Sequence, residues 1–445
     1  MAAVPTRNGE AGAVLRAALM DGRLRSAVLP AAALPAALLP ATVLLSALLL
    51  GCGDERGLQV RLDVPEGAAP AQVCLTAHGA GELVFARSWP ADEARGGTLT
   101  FVAGDRVDRR LRLSARLRRG GRRVADATAE ESFAPAAERV VDLELARCHP
   151  RSAPPPEIVV GAVSGAERLA AGDLDGDGVD EVVASGPDGA TVLGGEVLSS
   201  EPLRVSGLAD LDGDCLPEVF GVSASGVVAL PTGTLSARGE HVVVGDAGQG
   251  LGVGAGDADG LRWGLVDGVM RGLTGSPVRG LAIGDLNGDG VDDLLAVGEA
   301  GVSAFFGGPA GPTAAVGTAP TAWTGQSVAL GDFDDDGALD AAVGGDGLVR
   351  VGRNRGDGLL EGRPTLDAPG VRALRAIDAD GDCADDLVVL GEGEATLWLG
   401  AEDAALREGG ALPGVLDAVA ADLDGDGSRE LVLLGADGEV RTWVP

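Results

Sequence analysis

A nine-residue acidic loop recurs along the C-terminal two-thirds of this chain and limits its possible folds more than any other feature. The first copy reads Asp173-Leu174-Asp175-Gly176-Asp177-Gly178-Val179-Asp180-Glu181 and runs into Val182-Val183. Further copies begin at Asp210, Asp285, Asp332, Asp378 and Asp422, with a degenerate one at Asp257. Acid or amide oxygens stand at positions 1, 3, 5 and 9, and position 7 offers a backbone carbonyl. A ring of hard oxygen donors at this spacing suits Ca²⁺. Short apolar runs such as Leu387-Val388-Val389-Leu390 flank each loop, so it joins strands. An EF-hand is excluded, because that loop needs a Glu at its twelfth position and flanking amphipathic helices.

Successive loops start 37, 47, 28, 47, 46 and 44 residues apart. Periods near 40 with several strands per period indicate a propeller or a linear array. Within a unit, an apolar run ends in Gly-Asp, as in Leu281-Ala282-Ile283-Gly284-Asp285, and the loop and a second strand follow. An Asp-Gly turn such as Asp346-Gly347 then leads into a third strand, a strong hairpin signal. Position 6 is Gly in four copies, where a tight loop needs positive φ, and is Cys215 or Cys383 in the other two. These two lie in loops of non-adjacent units and are expected to be free thiols.

From Pro155 to Pro445, fifteen arginines face fifty acids, and the loops hold most of that excess. Such a field repels phosphate backbones and disfavours nucleic acid.

Residues 1–51 read as an export leader. Arg7, Arg16, Arg23 and Arg25 precede an apolar run, Ala41–Leu50, that is too short to span a bilayer. Leu49-Leu50-Gly51-Cys52 resembles the bacterial lipobox, whose Cys is lipidated and begins the mature chain. On that reading 52–56 is a lipid-anchored N-terminus in the cell envelope, and Gly53 after the Cys points to the outer membrane or cell surface. A plain signal peptide or an anchor helix is the alternative, and Met20 is a second candidate start.

Residues 57–148 read as a small all-β domain. Leu58, Val60, Leu62 and Val64 alternate with polar residues, as do Leu111, Leu113, Ala115 and Leu117, the period of half-buried strands. Six or seven such strands suggest a β-sandwich, Ig-like in architecture. Cys74 and Cys148 are the natural disulfide pair here, with two buried thiols as the alternative. Arg109, Arg110, Arg112, Arg116, Arg118, Arg119, Arg122 and Arg123 surround Gly120-Gly121. This basic hairpin reads as a solvated strand face; anionic lipid or the acidic domain downstream are its other possible partners. The prolines of 149–156 mark a linker.

The loop grammar of 157–445 resembles the FG-GAP/VCBS repeat family, known from integrin α-chain propellers and bacterial surface proteins. The resemblance implies an all-β chain: a seven-bladed β-propeller preceded by the sandwich. It also implies calcium ligands by position. These are Asp173, Asp175, Asp177 and Glu181; Asp210, Asp212, Asp214 and Glu218; Asp285, Asn287, Asp289 and Asp293; Asp332, Asp334, Asp336 and Asp340; Asp378, Asp380, Asp382 and Asp386; and Asp422, Asp424, Asp426 and Glu430. The Asp257 copy lacks a position-5 acid and places Arg262 near the ion, so it is expected to be empty. The chain passes only two strands beyond the last loop, and Glu157-Ile158-Val159-Val160 is placed to supply the missing outer strand and close the ring.

Catalytic signals are sparse. The three histidines, His78, His149 and His241, have no partner pattern, and no nucleophile elbow, phosphate loop or zinc motif occurs. The expectation is a monomeric, non-catalytic, calcium-stabilised scaffold for a protein or carbohydrate ligand. A carbohydrate-active lyase or hydrolase, or an envelope assembly factor, is the alternative.

Overall fold

The computed structural model describes residues 57–445 except 65–71, 80–81, 96–97, 103–109, 120–121, 133–138, 146–157, 232, 236, 267, 316–322 and 445. The leader, Cys52, Cys148 and the linker lie outside the described residues.

Seven N-terminal strands form two sheets. Strands β1 (Gly57–Asp63), β4 (Thr98–Val102) and β7 (Arg139–Glu144) make one, in the order β4-β1-β7. Strands β2 (Gln72–Gly79), β3 (Glu82–Pro90), β5 (Arg110–Arg119) and β6 (Arg122–Ser132) make the other, in the order β3-β2-β5-β6. Period-2 alternation decides what lies between them. Leu58, Val60 and Leu62 of β1 join Val73, Leu75 and Ala77 of β2 and Leu111, Leu113, Ala115 and Leu117 of β5 in one core.

Among the described residues after 157, the chain folds into seven antiparallel sheets of four or five strands. Six are meanders in simple sequence order. Their first strands are Arg168–Gly172, Leu203–Ala209, His241–Asp246, Gly280–Gly284, Ser327–Gly331 and Ala373–Ile377; the seventh sheet begins with Val415–Ala421. Each first strand packs against the first strand of the next sheet, and the seventh packs against the first, so the contacts close into a ring. Small residues permit this approach. A side chain at Gly284 would meet Leu339 of the next sheet at 2.5 Å, and one at Gly172 would meet Leu208 at 3.1 Å.

The seventh sheet takes its outer strand from the far end of the ring. Strand β8 (Val159–Ala162) pairs antiparallel with Glu439–Thr442, setting Gly161 opposite Val440. The backbone carbonyl of Ile158 also accepts the Thr442 N–H. Apolar residues from facing sheets fill the gaps between them; Val182 and Ala184, for example, pack with Val432, Leu434 and Val440.

Candidate metal centres on the loop face

Six loops join the first and second strands of their sheets, and all fold by the same backbone rule. The position-1 carboxylate accepts the N–H of position 6 at 2.6–3.2 Å, from Gly178, Cys215, Gly290, Gly337, Cys383 and Gly427. The position-5 carboxylate accepts the N–H of position 7 in every copy. Position 9 reaches back to the N–H of position 2 at 2.7–3.3 Å. Position 6 is left-handed throughout, including Cys215 at φ 82° and Cys383 at φ 79°, where a non-glycine residue is strained by about 1 kcal/mol or more.

These turns gather carboxylates that repel. In at least four loops three ligand atoms lie within 4.8 Å of one another: Asp173, Asp175 and Glu181; Asp210, Asp212 and Glu218; Asp332, Asp334 and Asp336; and Asp378, Asp380 and Asp386. Burial pushes Glu181, Glu218, Asp293, Asp340 and Asp386 up to about 7, and neighbouring loop acids add to the rise. Asp422 is likewise pushed up to about 7 by burial and by Asp180. Carboxylates held this way fit a hard divalent cation, which would neutralise them without a proton.

The third sheet corrects the loop register. Its first strand ends at Asp246 and its second begins at Leu251, so the equivalent connection is Asp246–Gly250. Asp246 accepts the N–H groups of Gly248 and Gly250 there. Asp257 ends the second strand, and the Asp257–Gly260 segment is a hairpin turn at the opposite end of the sheet. Arg262 occupies it, 2.9 Å from Asp257. Starts at 210, 246 and 285 are 36 and 39 residues apart, more even than the spacing measured to Asp257.

Position 8 has a separate role that the sequence pattern does not announce. Asp180, Asp292 and Asp385 each accept the backbone N–H of the residue that opens the preceding sheet's loop, Asp422, Asp246 and Asp332, at 2.8–3.0 Å. They are staples between sheets.

The N-terminal strands cover part of this face, and two expectations fail here. The arginine face of β5 is not solvated. With Leu113, Ala115 and Leu117 in the core, Arg112, Ser114, Arg116 and Arg118 must point the other way, and that side meets the acidic loops. Arg116, 2% exposed, pairs with Asp173, and Arg118 lies 3.3 Å from Asp210 while donating to the Cys215 carbonyl. Arg123 of β6 makes a two-pronged contact with Asp180 at 2.7 and 3.1 Å. Burial lowers the pKa of Arg116 to about 9 and that of Arg118 below its ordinary value, against the pull of the loop acids.

The second failure is the Cys74–Cys148 pairing. Cys74 is bonded to Cys215, with their Cα atoms 5.5 Å apart, and Cys383 is also disulfide-bonded, so neither loop cysteine is a free thiol. Alternation along β2 explains this. Val73, Leu75 and Ala77 enter the core, so Cys74, Thr76 and His78 face the loops. Thr76 donates to the Gly176 carbonyl, and His78 Nε2 lies 3.0 Å from the Asp175 carbonyl.

A fourth arginine enters a loop locally. Arg353 from the third strand of the fifth sheet lies 2.6 Å from Asp334 and 3.0 Å from Asp336, and also pairs with Asp403. Nothing in the loop pattern signalled it.

Comparison with known proteins agrees on the repeat. Residues 285–343 match the FG-GAP-like repeat, which runs from the acidic loop of the fourth sheet through its remaining strands into the second strand of the fifth. No curated protein matches the chain. Among solved structures, it resembles a chain of BBS1N in complex with ARL6DN at 13% identity, covering 66% of this chain and 96% of that one with TM-score 0.47. A chain of the mitotic checkpoint complex is 15% identical over 66% of this chain and 95% of that one, with TM-score 0.39. An Agrocybe aegerita lectin that recognises non-reducing terminal N-acetylglucosamine is 13% identical over 84% of this chain and 94% of that one, with TM-score 0.42.

Proposed function

We propose that this chain is a non-catalytic binding scaffold of the cell envelope, built as a seven-bladed β-propeller with a β-sandwich docked on its loop face and stabilised by Ca²⁺. The carrying observation is that six loops repeat one carboxylate arrangement in one backbone register. In each loop, positions 1, 3, 5 and 9 would hold the ion. Its contribution is electrostatic: it neutralises carboxylates that folding forces together.

The closed ring of first strands and the pairing of β8 with the last strand support the propeller reading. The single core shared by the two N-terminal sheets supports the sandwich. Among the described residues no helix is long and apolar enough to cross a membrane. Attachment is assigned to lipidation of Cys52, on the leader pattern alone.

The test is calcium stoichiometry and thermal melting of the mature chain with and without EGTA. Binding of several ions per chain and a large drop in melting temperature on chelation are expected. No bound calcium together with an unchanged melt overturns the metal assignment.

A further inference from the structure

Arginines stand at the end of the ring opposite the acidic loops, among acids such as Glu167, Glu201 and Glu240. Arg168 opens the first strand of the first sheet, Arg204 is second in that of the second sheet, and Arg372 and Arg375 flank the start of that of the sixth. All four stand where these strands begin, and the acidic loops follow where the strands end. Asp417, the third residue of the seventh sheet's first strand, is the buried counter-charge. It is already engaged, 2.8 Å from Arg375 and 3.0 Å from the Leu169 N–H. Arg372 donates to the Gly391 carbonyl, and Arg204 donates to the Glu240 carbonyl. The Arg168 side chain donates no hydrogen bond and joins no ion pair among the described residues.

Arg168 and Arg204 line a cavity of about 330 Å³ between the first and second sheets, together with Glu167, Ser185, Pro187 and Ser223. Pro187, Pro202, Leu203, Val222 and Ala224 make up much of its wall, so a ligand there would join an apolar body to a charged group that an arginine can meet. Burial lowers the Arg168 pKa; Asp417 opposes this, while Arg375, Arg204 and Arg372 reinforce it. His241 is lowered by burial and by Arg204, so it adds no lasting positive charge at neutral pH. Five residues of extended strand, roughly 17 Å, separate Arg168 from Asp173 of the acidic loops.

We propose that this cavity binds an oxyanion, the carboxylate or phosphate group of a small ligand, with Arg168 as its principal donor and Arg204 beside it. A guanidinium half-withdrawn from water with no hydrogen bond from its fork to a described residue is destabilising, and that planar fork of N–H groups matches either oxyanion in two-pronged fashion. The cavity volume suits a small molecule. The inference rests on the scaffold reading and supplies its ligand class, but it is independent of calcium.

The experiment is isothermal titration of the whole chain with citrate, glucuronate and inorganic phosphate at low and physiological salt. Saturable binding of at least one probe is expected, weaker at higher salt. Loss of one charge-assisted contact in Arg168→Ala should weaken it by about ten- to a hundredfold, with partial retention in Arg168→Lys. Binding by the carboxylates or by phosphate identifies the source. A variant that misfolds is replaced by a second measurement, protection of Arg168 in the native chain from phenylglyoxal by the bound probe, read by mass spectrometry. No saturable binding by any probe, undiminished binding by folded Arg168→Ala, or absence of protection overturns the proposal. Chelation probes the other end of the strands, so this proposal and the calcium reading can fail separately.

Discussion

In loop 1 the buried carboxylate of Asp173 meets Arg116, which arrives from β5 in the N-terminal sheets, whereas in loop 5 Asp334 and Asp336 meet Arg353 from their own sheet. Both arrangements relieve crowded negative charge. The consequences differ because of where the cation is rooted. A guanidinium from the same sheet settles its own loop and, through Asp403, reaches no farther than the neighbouring sheet. One from another part of the chain turns local repulsion into a docking force, and the Cys74–Cys215 bond beside it makes the docking permanent under oxidising conditions.

Withdrawing calcium tests every loop at once and should have the largest effect. Burial raises Glu181 and Glu218 from an ordinary 4.5, and Asp293, Asp340 and Asp386 from 3.8, to about 7. A carboxyl whose pKa rises on folding stabilises the fold while protonated. That contribution is complete below the ordinary value and disappears as pH rises through about 7. In EGTA the melting temperature should therefore fall between pH 5 and pH 8, by roughly 10 °C if the sites act together. Saturating Ca²⁺ should remove most of the fall, because the ion takes the place of the proton. A flat profile in EGTA would show that the loop acids do not repel as their burial implies.

The next effect sharpens the contrast itself. Arg116→Ala leaves Asp173 buried without its guanidinium and should destabilise the chelated protein by about 3–5 kcal/mol in denaturant unfolding. Calcium should shrink the loss, since it can occupy the same carboxylates. An equal loss in EGTA and in calcium would mean that ion and guanidinium do not share loop 1.

Cys74→Ser should destabilise by about 2–4 kcal/mol, with hydrogen exchange accelerating first in β2, β5 and β6. Uniform acceleration across all sheets would refute docking as the role of the bond. Arg353→Ala should be mildest, with a smaller drop in melting temperature in EGTA than Arg116→Ala and tighter calcium binding at loop 5. If Arg353→Ala proved the more damaging, the distinction between local and long-range counter-charge would collapse.

Much of the sheet region is legible in the sequence because each element is locally encoded. Asp-Gly turns, apolar runs and the nine-residue loop are short-range patterns, and the backbone follows them residue by residue. Misplacing the third loop at Asp257 shows the limit. A hairpin turn and an acidic loop can share the wording Asp-x-Asp-Gly, and only even spacing favours Asp246. The docked face was hidden for a different reason. Alternation in β5 states that Leu113 and Leu117 face a core, but leaves open whether Arg116 and Arg118 meet water or protein. Cysteine pairing is hidden in the same way, since it depends on tertiary approach. Small polar residues on β2, Cys74, Thr76 and His78, were the available hint, because a solvated face would favour longer charged side chains.

The pairing of β8 with Glu439–Thr442 also bears on incomplete molecules. A chain cut before Glu439 cannot close its last sheet, and it leaves β8 without a strand partner and Glu430–Gly435 at an open edge of the seventh sheet. Unpaired edges of that kind recruit strands from other chains. The fold thus inspects its own completeness: a finished copy hides the very edges by which a broken one would be caught or would aggregate.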